Sequence, residues 1–130
     1  MAAKGDPPDE RPAPDVFLDV EFEDGLLFLV VANVGPRAAT RVEIRFEPAF
    51  RGLGGRVQVS SLRLFRRIEF LAPGRRIRTL LDTSASYFAR GEPAKLTATI
   101  RFRDEDGRRY ERTIAHDLAI YRDLAYVTRA

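Results

Sequence analysis

The residues able to do chemistry are few, and their settings decide what they can do. His116 is the only histidine, and Asp117 follows it directly. A Ser-His-Asp relay would need a serine hydroxyl within reach of that imidazole, from Ser60, Ser61, Ser84 or Ser86. None of these lies in a nucleophile-elbow context, and adjacent strand residues point to opposite faces. His116 therefore reads as a partly exposed histidine at a strand end. Asp104-Glu105-Asp106-Gly107 has the acidity of a cation loop, but Arg108-Arg109 stands where a further carboxylate would be needed. It reads as a hairpin turn, and Glu23-Asp24-Gly25 repeats the chemistry. Gly52-Leu53-Gly54-Gly55 lacks the Gly-Lys-Ser/Thr ending and the following helix of a phosphate loop, so a flexible loop is expected. There is no cysteine, which excludes a thiol nucleophile, a thiolate metal site and a disulfide. The expectation is a protein that is not an enzyme, with no catalytic residue, cofactor or metal, and no small-molecule substrate.

Contact chemistry is better represented. Between Arg51 and Arg78 stand eight arginines, Arg51, Arg56, Arg63, Arg66, Arg67, Arg75, Arg76 and Arg78, against one acid, Glu69. Phe50, Phe65 and Phe70 are interleaved with them. Gathered on one face, they would hold an anionic partner: nucleic acid, a lipid surface or an acidic protein patch. Pointing outward from several short elements, they would form only a soluble rim. The tail adds Tyr121, Leu124 and Tyr126, aromatic and aliphatic groups of the kind interfaces favour. The same residues could instead fold back over an open sheet end.

The elements that must position these groups follow from patterning. The chain has 130 residues, 45% hydrophobic and 32% charged, with a net charge of +3, the balance of one globular domain. Of its 22 basic residues only Lys4 and Lys95 are lysine, a bias that base composition explains as well as phosphate contact does. Residues 1–14 are Pro-rich and polar, and a disordered leader is expected there. Val16, Leu18, Val20 and Phe22 alternate with Asp15, Asp19 and Glu21. A continuous apolar run from Leu26 to Val34 predicts a buried central strand. Val42, Ile44 and Phe46 alternate with Arg41, Glu43 and Arg45, in a strand that either pairs with the central one or crosses to a second sheet. Val57 to Phe70 gives apolar beats without a clean period, read as one or two short strands across a bend. Leu71-Ala72-Pro73-Gly74 is a type II turn signal, and Ile77, Thr79 and Leu81 resume alternation. A helical turn capped by Asp82 or Ser84 is expected next. Leu96, Ala98, Ile100 and Phe102 then mark the most regular strand, and Arg108 to Ala115 returns. The tail from His116 suits helix and strand equally.

These elements predict an all-β, single antiparallel β-sandwich of seven or eight short strands over 15–116, with a short helical turn and a C-terminal extension, 117–130, packing on the sandwich or on a partner. Three pieces carry a family likeness. Leu29 to Phe46, with Asn33, Gly35 and Ala39, Phe70 to Thr79, FLAPGRRIRT, and Leu96 to Glu111, LTATIRFRDEDGRRYE, resemble the strand-turn-strand, L-x-P-G turn and closing hairpin of bacterial immunoglobulin-like domains of the fibronectin III and CARDB-like kind. That resemblance implies an adhesion, spacer or docking module. The expected partner is a protein, a second copy of the chain included, with nucleic acid or an anionic membrane as the alternative. No apolar segment approaches the ~20 residues of a spanning helix, so the expected place is the cytoplasm, or a soluble domain of a longer anchored or exported protein. The central run poses one further question, because it is apolar on both faces. Leu27, Leu29 and Val31 should face the core, leaving Phe28 and Val30 either under the tail or exposed as a binding surface.

Overall fold

The computed structural model of the chain describes residues 11–126, with side chains up to Leu124. Most of the expected leader, residues 1–10, lies outside the described residues, as do residues 127–130 of the tail. The fold is all-β, with seven strands in two antiparallel sheets and short helical turns between them. β1 (Val16–Glu23), β2 (Leu26–Asn33) and β5 (Arg76–Thr83) form one sheet in the order β1-β2-β5. β4 (Ile68–Leu71), β3 (Ala39–Glu47), β6 (Lys95–Arg103) and β7 (Arg109–Asp117) form the other, in the order β4-β3-β6-β7. β3 thus leaves its sequence neighbour β2 and crosses to the second sheet.

The core lies between the sheets, filled by alternate residues of both. Leu18, Leu27, Leu29, Val31 and Leu81 from one side meet Val42, Ile44, Leu96 and Ile100 from the other, all buried. The link from β3 to β4 differs from the expected short strands. Residues Val59–Ser61 form a 3-10 turn and α1 (Arg63–Arg66) a single helical turn. The cause is legible in hindsight: Val59, Leu62, Phe65 and Ile68 recur every third residue, the spacing of a tight helical turn rather than of a strand. Phe65 is fully buried and meets Phe46 edge to face at 4.9 Å.

Asn33, at the end of β2, fixes the turn between the sheets. It is fully buried, and its side chain accepts from Asp15 N and Gly35 N, both at 3.0 Å, while its amide donates to Arg37 O at 2.8 Å and Leu71 O at 3.1 Å. All four hydrogen-bonding capacities of the amide are used. A side chain on Gly35 would sit 2.4 Å from Ala13 O, so only glycine lets the 13–15 segment pass this close. Pro14 is buried there.

The Gly52-Gly55 loop is tied down. Gly52 pairs with Val57, and Leu53 N donates to Leu81 O at 2.9 Å. A Cβ on Gly52 would lie 2.0 Å from that carbonyl, so this glycine is there for close approach. Gly54 N donates to Asp82, whose carboxylate also receives Arg90 at 2.7 Å. Asp82 is therefore not the cap of α2 (Ser84–Ala89), and neither is Ser84. Thr83 caps it, accepting from Ser86 N at 3.1 Å.

Candidate functional site

The outer face of the four-stranded sheet carries a basic groove of about 550 Å3. Strand register builds it. Thr40 on β3 lies opposite Arg103 on β6, which lies opposite Arg109 on β7. Two residues along, Glu43, Arg101 and Glu111 form the next outward row. The register slips between Thr40 and Glu43, and Arg41 in that bulge has φ of +50°. Bulges re-aim side chains, and here the bulge brings Arg41 into the groove wall. Arg67 joins from the α1–β4 link.

Charge balance in the groove is uneven. Arg101 donates to Glu111 at 2.8 Å, Arg67 lies 3.2 Å from Glu69, and Arg45 lies 3.9 Å from Glu43. Among the described residues, Arg41, Arg103 and Arg109 have no carboxylate within ion-pair distance. Desolvation first, then repulsion by Arg109, Arg41 and Arg67, holds the Arg103 guanidinium below its ordinary pKa. Four cations converge on one corner.

Of the eight arginines between Arg51 and Arg78, only Arg67 lines this groove. Arg51 and Arg56 fold onto the glycine loop, donating to Gly55 O and Leu53 O. Arg63, Arg66 and Arg75 are exposed elsewhere. Arg76 and Arg78 lie on the outer face of the other sheet, where Arg76 pairs with Glu21, and Arg78 with Glu21 at 3.3 Å and Glu23 at 3.1 Å. These pairs reach across β2 from β5 to β1, and the Arg78 guanidinium sits 3.8 Å over the Phe28 ring. On this second apolar face Val30 is buried and Phe28 half-buried, with the arginine-glutamate lattice lying over Phe28.

The tail folds back as far as it is described. Leu118 is fully buried, and Tyr121 stacks on Phe22 at 5.8 Å while its hydroxyl donates to Val20 O at 3.1 Å. Leu124 is 44% exposed, and the side chain of Tyr126 lies outside the described residues. His116 Nε2 donates to Leu18 O at 2.8 Å. His116 and Tyr121 thus occupy carbonyls on β1, an edge strand that would otherwise be open to pairing. The acidic turn is likewise engaged: Asp104 is buried and accepts from Asp106 N, Arg108 N and the Tyr110 hydroxyl, while Arg37 reaches Glu105 and Asp106. Among the described residues no three histidine, aspartate or glutamate side chains gather as a metal site would need.

The sequence reading missed Arg41, Arg101, Arg103 and Arg109 as a group. Arg103 facing Arg109 could have been counted off the hairpin turn. Arg41 and Arg67 could not, because the bulge and the β3–β6 pairing place them.

A family model described as Domain of unknown function (DUF8453) matches residues 8–122, and the chain belongs to that family. No curated protein matches it.

Proposed function

We propose that this member of the DUF8453 family is a non-enzymatic interaction module, an immunoglobulin-like sandwich that docks an anionic segment of a partner protein on the outer face of its four-stranded sheet. One observation carries the reading. Arg37, Arg76, Arg78, Arg101 and Arg112 each meet a carboxylate, whereas Arg41, Arg103 and Arg109 crowd one groove with none among the described residues. Like charges held together are relieved by an anion from outside. The positive φ of Arg41 supports it, since strained backbone at a bulge marks places where a side chain has been aimed. The crossing of β3 between sheets is the Greek-key wiring of immunoglobulin-like sandwiches and supports that finer assignment.

Nucleic acid is the weaker alternative. A phosphate backbone needs an uninterrupted basic track, and Glu43 and Glu111 interrupt this one within a single row. As for membranes, no described helix is long and apolar enough to cross one.

Fluorescence anisotropy with a labelled poly-glutamate peptide tests the proposal. Binding at low salt that weakens as salt rises, and is lost in the Arg103→Ala/Arg109→Ala double variant, is the expected result. No binding at low salt, or tighter binding of duplex DNA than of the peptide, sinks it.

A further inference from the structure

We propose, building on that docking reading, that the arginine corner of the groove recognises a phosphate ester on the partner protein, a phosphorylated side chain rather than a run of carboxylates. The geometry points to a compact, doubly charged group. Arg41, Arg67, Arg103 and Arg109 approach one another from β3, the α1–β4 link, β6 and β7. Arg67 is paired with Glu69 at 3.2 Å, which leaves Arg41, Arg103 and Arg109 with no carboxylate among the described residues. A single carboxylate, with one charge and one bidentate fork, balances only one of these three. A phosphate monoester brings about −1.5 to −2 charges and three acceptor oxygens, enough for two or three guanidinium forks at once. The corner is also all arginine, the residue whose planar fork matches phosphate bidentately.

The neighbouring row sharpens the choice. Glu43 and Glu111 flank Arg101 two residues along the strands, and Arg101 is occupied by Glu111 at 2.8 Å. Two strand residues span roughly 6–7 Å. A peptide with successive acidic side chains still binds, but brings its second carboxylate against these two and is held more weakly than one carrying a single phosphate. A single phosphate avoids that repulsion, because its charge is concentrated in one place.

The test uses the whole chain and two probes. Inorganic phosphate, followed by NMR of arginine Nε–Hε groups, should shift Arg103 and Arg109 and leave Arg63 and Arg66 unmoved. An immobilised chain should then retain a degenerate phosphoserine peptide library about tenfold over its unphosphorylated copy, a readable difference in affinity. Arg103→Ala/Arg109→Ala should abolish the retention, with its backbone spectrum showing the fold intact. Arg103→Lys/Arg109→Lys should keep binding of acidic peptide but lose the preference for phosphate, and Arg63→Ala/Arg66→Ala should change nothing. Equal retention of a glutamate-substituted library overturns the phosphate assignment while the anionic docking reading survives. Retention of neither library overturns both. Retention of adenosine monophosphate in preference to the phosphopeptides overturns the protein source of the phosphate.

Discussion

At the scale of single residues, two buried polar groups do work that the surface charges do not. Asn33 joins three separate stretches of backbone, near Asp15, Gly35–Arg37 and Leu71, through one amide. Removing it leaves buried donors and acceptors without partners, each worth about 1–3 kcal/mol, so Asn33→Ala should cost about 2–4 kcal/mol in urea denaturation. A loss below about 1 kcal/mol would mean water replaces the amide. Tyr87 is fully buried, and its hydroxyl donates to Pro93 O at 2.6 Å. Burial, then the negative charge of Glu92, raises its pKa well above the ordinary tyrosine value. The folded state therefore keeps a proton that the unfolded chain releases near pH ~10. The stabilisation is complete below that pH and is lost as pH climbs beyond it toward the folded value. Tyr87→Phe should be less stable at neutral pH by about 1 kcal/mol, yet lose less stability between about pH 8 and about pH 11 than the parent does. An alkaline loss as steep as the parent's would assign the effect to Tyr110 and Tyr121, whose hydroxyls are also raised by burial.

At the scale of elements, the β3 bulge is where fold and candidate site meet. Val42 and Ile44 reach the core only because the register shifts between Thr40 and Glu43, and the residue left over is Arg41 at φ +50°. A non-glycine residue there costs roughly 1–2 kcal/mol, partly offset in a glycine variant by the extra entropy of its unfolded chain, roughly 0.5–1 kcal/mol. Arg41→Gly should thus leave stability unchanged or raise it by up to about 1 kcal/mol, while weakening peptide binding. Stability and binding that fall together would show the arginine to be structural. The loop around Gly52 makes the opposite point. Its glycines suggested freedom, but Gly52 is there so that backbone can lie against Leu81, and Gly54 and Gly55 take positive φ of +73° and +87° in a loop held to Asp82.

At the scale of the molecule, the two sheets are closed along one side by the chain's own end. Arg112 pairs with Asp15, His116 with Leu18 O, and Tyr121 with Val20 O, so β1 and β7 are bridged along their length. Leu118 adds a fully buried side chain, and its N–H donates to Ala94 O at 2.8 Å. A chain ending at Asp117 should lose about 2–4 kcal/mol, from a buried leucine and a stacked tyrosine. It should also associate at lower concentration, because the carbonyl edge of β1 is partly uncovered. Unchanged melting and a monomeric sedimentation profile would make the tail dispensable.

The sequence by itself determined the strands, because alternation with a period of two and an uninterrupted apolar run report burial directly. Val16 to Phe22, Leu26 to Asn33 and Leu96 to Phe102 face as their patterns require. Turn chemistry at Asp24-Gly25 and Asp104-Gly107 placed the two hairpins, and at Pro73-Gly74 the turn that carries the chain from one sheet to the other, since those conformations restrict the residues that can adopt them. Only the tertiary structure decided which charges meet. The arginine-rich segment from Arg51 to Arg78 scatters over both sheets and two loops, because it contains a helical turn, an edge strand and a crossing between sheets. The corner of Arg41, Arg67, Arg103 and Arg109 forms from residues far apart in the chain, through cross-strand register and one bulge. A one-dimensional charge count cannot see that juxtaposition, because nearness on a sheet is set by pairing between strands and not by distance along them.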